Sequence, residues 1–363
     1  MKNDKLSQRS GALDLLRFLA VLIVFFSHYT DTFNYVYKIV PENLKYLPIF
    51  KYGSLALVAF FIVSGYVITM TSMKKSIKDF IVIRLSRIYP LFWVSCTVAF
   101  ILPRAVNEHT FIAFSSFNTY LINMTMVPGL LGTPLINPVY HTLLLELLFY
   151  FFIAIIIVFK LWDRMLLIIG VLTVFCIVRG LDATAYSHIV IPPFAGGILF
   201  YYLKIKYGNP IYLRILLCLN FISSLMIGRT LERYLNGRVD DVQTINSWIA
   251  VTIIAAIYGI FYLIVTDRFK ISSNRITVML GEIAYPFYLF HVYFLIVYWY
   301  FRDSIQEDAL LLSILALVIC SSWLINQLVE KPLNKICSQL LYFLFNLFKR
   351  NKNSPEVLTS RTV

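Results

Sequence analysis

The chain has 363 residues, 59% of them hydrophobic and only 14% charged, with a mean hydropathy of +0.76. Soluble domains sit near a quarter charged and about half apolar, so one water-soluble core is excluded and many lipid-buried helices are implied. The net charge of +13 does not point to nucleic acid, because the lysines and arginines lie in short segments between apolar runs. The five cysteines show neither a CxxC pair nor metal-ligand spacing and read as small buried hydrophobes.

Along the chain, Met1 to Ser10 is polar and basic, and the first apolar run is too long for a signal-peptide core, so no cleavable signal is expected. A helix needs about 20 apolar residues to cross a bilayer. The pattern predicts an all-α integral membrane protein, a bundle of about ten transmembrane helices. The spans fall at 13–33, 53–73, 80–102, 139–159, 165–181, 186–203, 211–228, 245–265, 282–301 and 309–327. With the N-terminus in the cytoplasm, the inner segments hold 22 of the 32 lysines and arginines and the outer segments 9. That bias fits the positive-inside rule with both termini cytoplasmic. The longest outer loop, Pro103 to Pro138, carries the turn formers Pro128, Gly129, Gly132 and Pro134. Residues 1–348 are expected to form one membrane domain. Within it, Ile336 to Phe348 is apolar but short and is expected to lie along the interface. Residues 349–363 are expected to form a basic, polar cytoplasmic tail without fixed structure.

Charges inside a bilayer are costly and mark function by default. Arg17 and His28 share a face of span one, about 16 Å apart along its axis, which puts Arg17 near the inner surface and His28 in the outer half. Asp14 is placed to pair with Arg17. Arg17 reads either as a snorkelling anchor or as a site residue, and His28 either as a satisfied interfacial histidine or as a base. Arg84 and Arg87 share a face at the start of span three, which suits phosphate binding as well as plain positive-inside charge. Glu146 lies about 10 Å into span four from the outside, with Thr142 and Tyr150 on the same face. Counted this way, it is level with His28, as an acid orienting a base must be, although a structural pair explains it too. In span nine Tyr285, Tyr288 and His291 recur every third residue, a spacing that fits a structural aromatic stripe as well as a site. Ser64-Gly65-Tyr66 offers a point of close helix packing. The picture is two-tiered: a cationic inner layer of Arg17, Arg84 and Arg87 that suits a phosphorylated donor, and an outer layer of His28, Glu146 and His291 that suits proton transfer.

Six segments resemble, in order and spacing, those of acyltransferase family 3 membrane proteins, and together they cover nearly the whole chain. They are Arg17 to His28, a basic residue and a histidine separated by ten others; Phe60-Phe61-Ile62-Val63-Ser64-Gly65-Tyr66; Arg84-Leu85-Ser86-Arg87-Ile88-Tyr89-Pro90; Thr142 to Glu146 running on to Phe149-Tyr150; Tyr285 to His291; and Glu330-Lys331-Pro332. His141 stands where the family usually has Trp, and Ala284 where it has Ser.

The resemblance implies a membrane O-acyltransferase of the bacterial inner membrane. Its donor would be acyl-CoA, acetyl-CoA first, with no permanently bound cofactor and no metal. Its acceptor would be a surface or lipid-linked polysaccharide such as O-antigen, capsule or exopolysaccharide. It implies His28 as the base, with Arg17 essential and Glu146 orienting within the site. Arg84 and Arg87 would bind the donor, and Ser64, Tyr150, Tyr288 and His291 would support. Many members carry a further extracytoplasmic domain, so this chain is expected to act alone or with a separate partner. The competing class is a transporter or exporter of a polysaccharide or lipid intermediate, since intramembrane charge in a ten-span bundle serves transport as well.

Overall fold

The structure is a computed structural model that describes residues 10–29, 48–106, 115–180, 187–236 and 245–352. Lipid offers no partner for backbone polar groups, so a chain this apolar satisfies them within helices. The described residues contain helices and connecting turns and no strand. In chain order they form α1 (Gly11–Ser27), a 3-10 segment (Pro48–Leu55) leading into α2 (Ala56–Ser72), and α3 (Ile77–Val106). The short α4 (Phe117–Asn123) precedes α5 (His141–Val158), α6 (Met165–Gly180), α7 (Ser187–Lys204), α8 (Pro210–Asn236) and α9 (Ser247–Val265). Then come α10 (Arg275–Phe290), a 3-10 turn (His291–Phe294), α11 (Leu295–Phe301) and α12 (Glu307–Ile325). A π-helical turn (Asn326–Glu330) joins α12 to α13 (Lys331–Lys352).

Eight helical stretches are long and apolar enough to cross a membrane. They match eight of the ten expected spans. The other two correspond to α1, with 17 residues, and α7, with 18. The expected span 13–33 runs past residue 29 and so beyond the described residues, as do 107–114 of the long loop and the tail after 352. Large apolar side chains such as Phe151 and Leu167 are more than 60% exposed. On helices of this composition, such an outer surface is lipid-facing.

Between helices in lipid, close packing takes over from the hydrophobic drive. The tightest crossing is α2 against α7, where Gly65 meets Phe194 and Gly197 meets Ile62 and Gly65, backbone to backbone. A Cβ on either glycine would overlap a carbonyl of the facing helix. Gly197→Val is therefore expected to destabilise the protein by about 3 kcal/mol, the upper end for overpacking. A thermal unfolding midpoint in detergent equal to wild type would contradict this crossing.

The second key contact is α1 against α10. Phe25, wholly buried, packs edge-on to Phe287 at 5.9 Å, and Phe18 meets the same ring at 6.2 Å. Gly281 leaves the space in which Asp14 sits. An asparagine cap at Asn274, reciprocated by Thr277, fixes where α10 starts.

Two prolines shape the bundle interior. A proline has no N–H, so the carbonyl four residues earlier loses its helical partner. Pro286 frees the carbonyl of Glu282, to which Asn326 Nδ2 donates at 3.4 Å. Pro90 frees that of Ser86, and Asn334, with its amide oriented to donate, reaches it at 2.8 Å. The π turn and the start of α13 thereby tie α10 and α3 together. Further along α13, Lys78 donates to Asn346 at 2.6 Å and Tyr342 to Asp79 at 2.9 Å. The helix that carries Ile336 to Phe348 is thus continuous with α12 and lies along the start of α3.

Candidate functional site

A cavity of about 1620 Å³ opens between α1, α2, α3, α5, α10 and the π turn. Its mouth lies at the end of the bundle lined by Lys204, Asp267 and Lys270, where Lys270 is 71% and Asp267 53% exposed. Its wall carries most of the residues that the sequence singles out: Arg17, Ser64, Arg84, Arg87, Glu146 and Tyr288. A cavity of this size exceeds that of a typical small-ligand pocket and suits a long, charged molecule.

Charges on the wall are mostly compensated. Arg17 contacts Asp14 at 3.5 Å, and Asp14 is 2% exposed. Lys331 pairs with Glu282 at 2.9 Å, and Asn326 donates to Glu330 at 2.7 Å. At the mouth Lys204 pairs with Asp267 at 2.5 Å, and this hydrogen-bonded ammonium holds the Asp267 carboxyl below its ordinary range. Tyr150, buried, donates to Glu146 at 2.6 Å.

The two arginines of α3 differ. Arg84 is 5% exposed, donates to Thr71, and lies over the rings of Tyr150 (5.5 Å) and Phe80 (5.8 Å). Arg87 is exposed on the cavity wall. It feels Glu146 and Glu330 through space but makes no direct hydrogen bond or ion pair among the described residues. A guanidinium offered to a cavity in this way has its forked donors available for an anion.

Toward the other end, the cavity reaches Thr142 and Tyr288, whose hydroxyls lie 2.6 Å apart and within 3.1 and 2.9 Å of the Val139 carbonyl, so that one hydroxyl donates to the other and the second to the carbonyl. Further on lies a cluster of buried hydroxyls, Ser95, Tyr140 and Tyr293, within 2.9 Å of one another. His28 and His291 are not on the cavity wall. They face each other with ring centroids 5.3 Å apart, His28 half-buried and His291 1% exposed. His141 is near enough to His28 for their charges to interact, and its Nδ1 lies 2.7 Å from the Pro138 carbonyl.

The expected outer layer of His28, Glu146 and His291 is therefore divided. His28 and His291 are brought together, while Glu146 lies with Tyr150 on the cavity wall beside the arginines. Depth counted along separate spans places residues on one axis only, and the neighbour of His28 is set by the contact of α1 with α10. The proline-capping residues Asn326 and Asn334 and the Lys331–Glu282 pair were not among the expected site residues. Lys331 lies in the Glu330-Lys331-Pro332 segment, and the signal for the others was polar side chains at or just beyond the ends of apolar spans.

Among the described residues no group of three or more His, Cys, Asp or Glu is placed to hold a metal ion.

A helical membrane bundle enclosing a charged cavity with a histidine pair beyond it is the layout of a membrane enzyme or carrier. The family model of the acyltransferase domain Acyl_transf_3 matches residues 10–327, and the chain belongs to acyltransferase family 3. No curated protein and no solved structure matches it.

Proposed function

We propose that this membrane acyltransferase moves an acyl group, acetyl first, from acyl-CoA to a hydroxyl of a cell-surface or lipid-linked polysaccharide such as O-antigen, capsule or exopolysaccharide. The observation that carries the donor assignment is Arg87, exposed on the wall of a large cavity and without a direct ion pair among the described residues. The donor's phosphates bind there, with Arg84 fixed behind and Arg17 across the cavity. The protein lies in the bacterial inner membrane with ten spans and both termini cytoplasmic, so the basic mouth faces the donor pool.

The thioester then reaches toward Tyr288 and the histidines. The acceptor oxygen attacks the thioester carbonyl carbon and its proton passes to His28. As the C–O bond forms the C–S bond breaks, and the departing thiolate takes up the proton as CoA thiol. Glu146 and Tyr150 support the arginine side of the cavity, with Ser64 and Tyr288 along the acyl path.

The test uses purified protein in lipid vesicles with labelled acetyl-CoA and membranes carrying the acceptor. Label is expected in the polysaccharide fraction, with equal release of CoA thiol. Movement of polysaccharide or lipid across the vesicle membrane without thioester consumption would overturn this reading in favour of a transporter.

A further inference from the structure

His291 has an unusual environment for a buried side chain. Its Nδ1 lies 2.8 Å from the Tyr288 carbonyl and 3.2 Å from that of Phe287. Carbonyls only accept, so Nδ1 carries the proton and Nε2 carries the lone pair. That Nε2 is buried and has no hydrogen-bond partner. Buried polar atoms are almost always partnered, and the exceptions call for an explanation.

The backbone is arranged to hold this ring. α10 tightens into a 3-10 turn at His291, and the buried Tyr29 hydroxyl donates to the His291 carbonyl at 3.2 Å. Tyr29 is the neighbour of His28, and the end of α1 widens to π geometry at these two residues. Such turns are frequent at functional sites. One short stretch therefore clamps His291 through its backbone and brings the His28 ring to 5.3 Å from it.

We propose that His291 is a positioning residue for His28: its unpartnered Nε2 accepts the N–H of the His28 ring, so that the other nitrogen of His28 is held as the base. This deepens the reading in the preceding subsection and rests on it for the identity of the base. Backbone carbonyls fix the tautomer of His291, and His291 in turn fixes that of His28, as a carboxylate does in the serine hydrolase triads. When His28 takes the hydroxyl proton, the same acceptor stabilises the imidazolium. With the ring centroids 5.3 Å apart, a small rotation of the His28 ring closes this hydrogen bond, as catalytic hydrogen bonds tighten on forming the reacting complex. Among the described residues, the titratable groups near His28 are His291 from the 3-10 turn and His141 from the start of α5, with Tyr29 next to it in the chain and Tyr288 on α10 beyond His291.

Three variants test it: His291→Phe, which keeps a ring but removes Nε2, His291→Gln, which restores an acceptor oxygen, and His28→Ala combined with His291→Phe. Expected are a fall in kcat of about 100-fold for the Phe variant with the KM for acetyl-CoA within about 2-fold, and recovery of about 10-fold by Gln. The double variant loses no more than His28→Ala alone, because residues acting as a unit are not additive. A readout independent of turnover is nitrogen-15 NMR of histidine-labelled protein, simplified by there being five histidines in all. His28 should occupy a single tautomer in wild type and two in His291→Phe. A wild-type protein that transfers no acetyl sinks the functional reading, while the tautomer measurement still decides the coupling. Unchanged tautomers or additive losses would overturn the role of His291.

Discussion

Replacing His28 by alanine is expected to lower kcat for acyl transfer by about 1000-fold, within the range that general acid–base groups contribute, while the protein folds normally. The fold should survive because α1 is anchored by other side chains. α1 is held by Phe18 and Phe25 against Phe287, and by Asp14 in the space left at Gly281. The Tyr29 clamp on the His291 carbonyl is also untouched. Donor binding should survive as well, since the arginines lie on the cavity wall and His28 does not. The expected signature is therefore a collapse of kcat with the KM for acetyl-CoA within about 2-fold and an unchanged thermal midpoint. A substitution that removed only ground-state binding would instead raise KM at constant kcat. Residual kcat within tenfold of wild type would show that His28 is not the base, and His141, close enough to interact with it, would become the residue to examine.

The reach of sequence reasoning here follows the range of the interaction. Pairs within one helical turn were legible: Asp14 with Arg17 at three residues, and Glu146 with Tyr150 at four. So was the small-residue crossing at Gly65, because a glycine in an apolar run has few other uses. Hydropathy located eight of the expected spans, since lipid selects for composition over some 20 residues at a time. What did not emerge was which helices touch. Placing Glu146 beside His28 required α1 to meet α5 at that depth, whereas aromatic packing sets α1 against α10. The asparagines that satisfy proline-freed carbonyls are likewise invisible in one dimension: Asn326 and Glu282 are 44 residues apart in sequence. The difference between Arg84 and Arg87 was also hidden. Both follow the same motif, but one turns into the wall against Tyr150 and Phe80 and the other faces the cavity.

That last difference has a kinetic consequence. Arg87→Ala is expected to raise the KM for acetyl-CoA by about 10- to 100-fold with a much smaller change in kcat. A hydrogen bond to a charged group contributes about 1.5–3 kcal/mol, and each 1.36 kcal/mol is a factor of ten. Arg87→Lys should recover only part of the loss, because an ammonium keeps the charge but not the planar fork that binds two phosphate oxygens together. Acetyl-pantetheine, which carries the thioester without the nucleotide phosphates, separates charge recognition from general damage: its KM should be nearly the same in wild type and Arg87→Ala. Salt should act in parallel, raising the wild-type KM for acetyl-CoA more than that of the variant, since screening weakens an ion contact only where one exists. Arg84→Ala should behave differently, because its guanidinium is 5% exposed, bonded to Thr71 and stacked on two rings. Its removal leaves a cavity beside the two rings and takes away the hydrogen bond to Thr71, so the thermal midpoint should fall along with affinity. If Arg87→Ala weakened acetyl-pantetheine as much as acetyl-CoA, Arg87 would be shaping the cavity without reading phosphate, and the donor would have to be held by the lysines at the mouth.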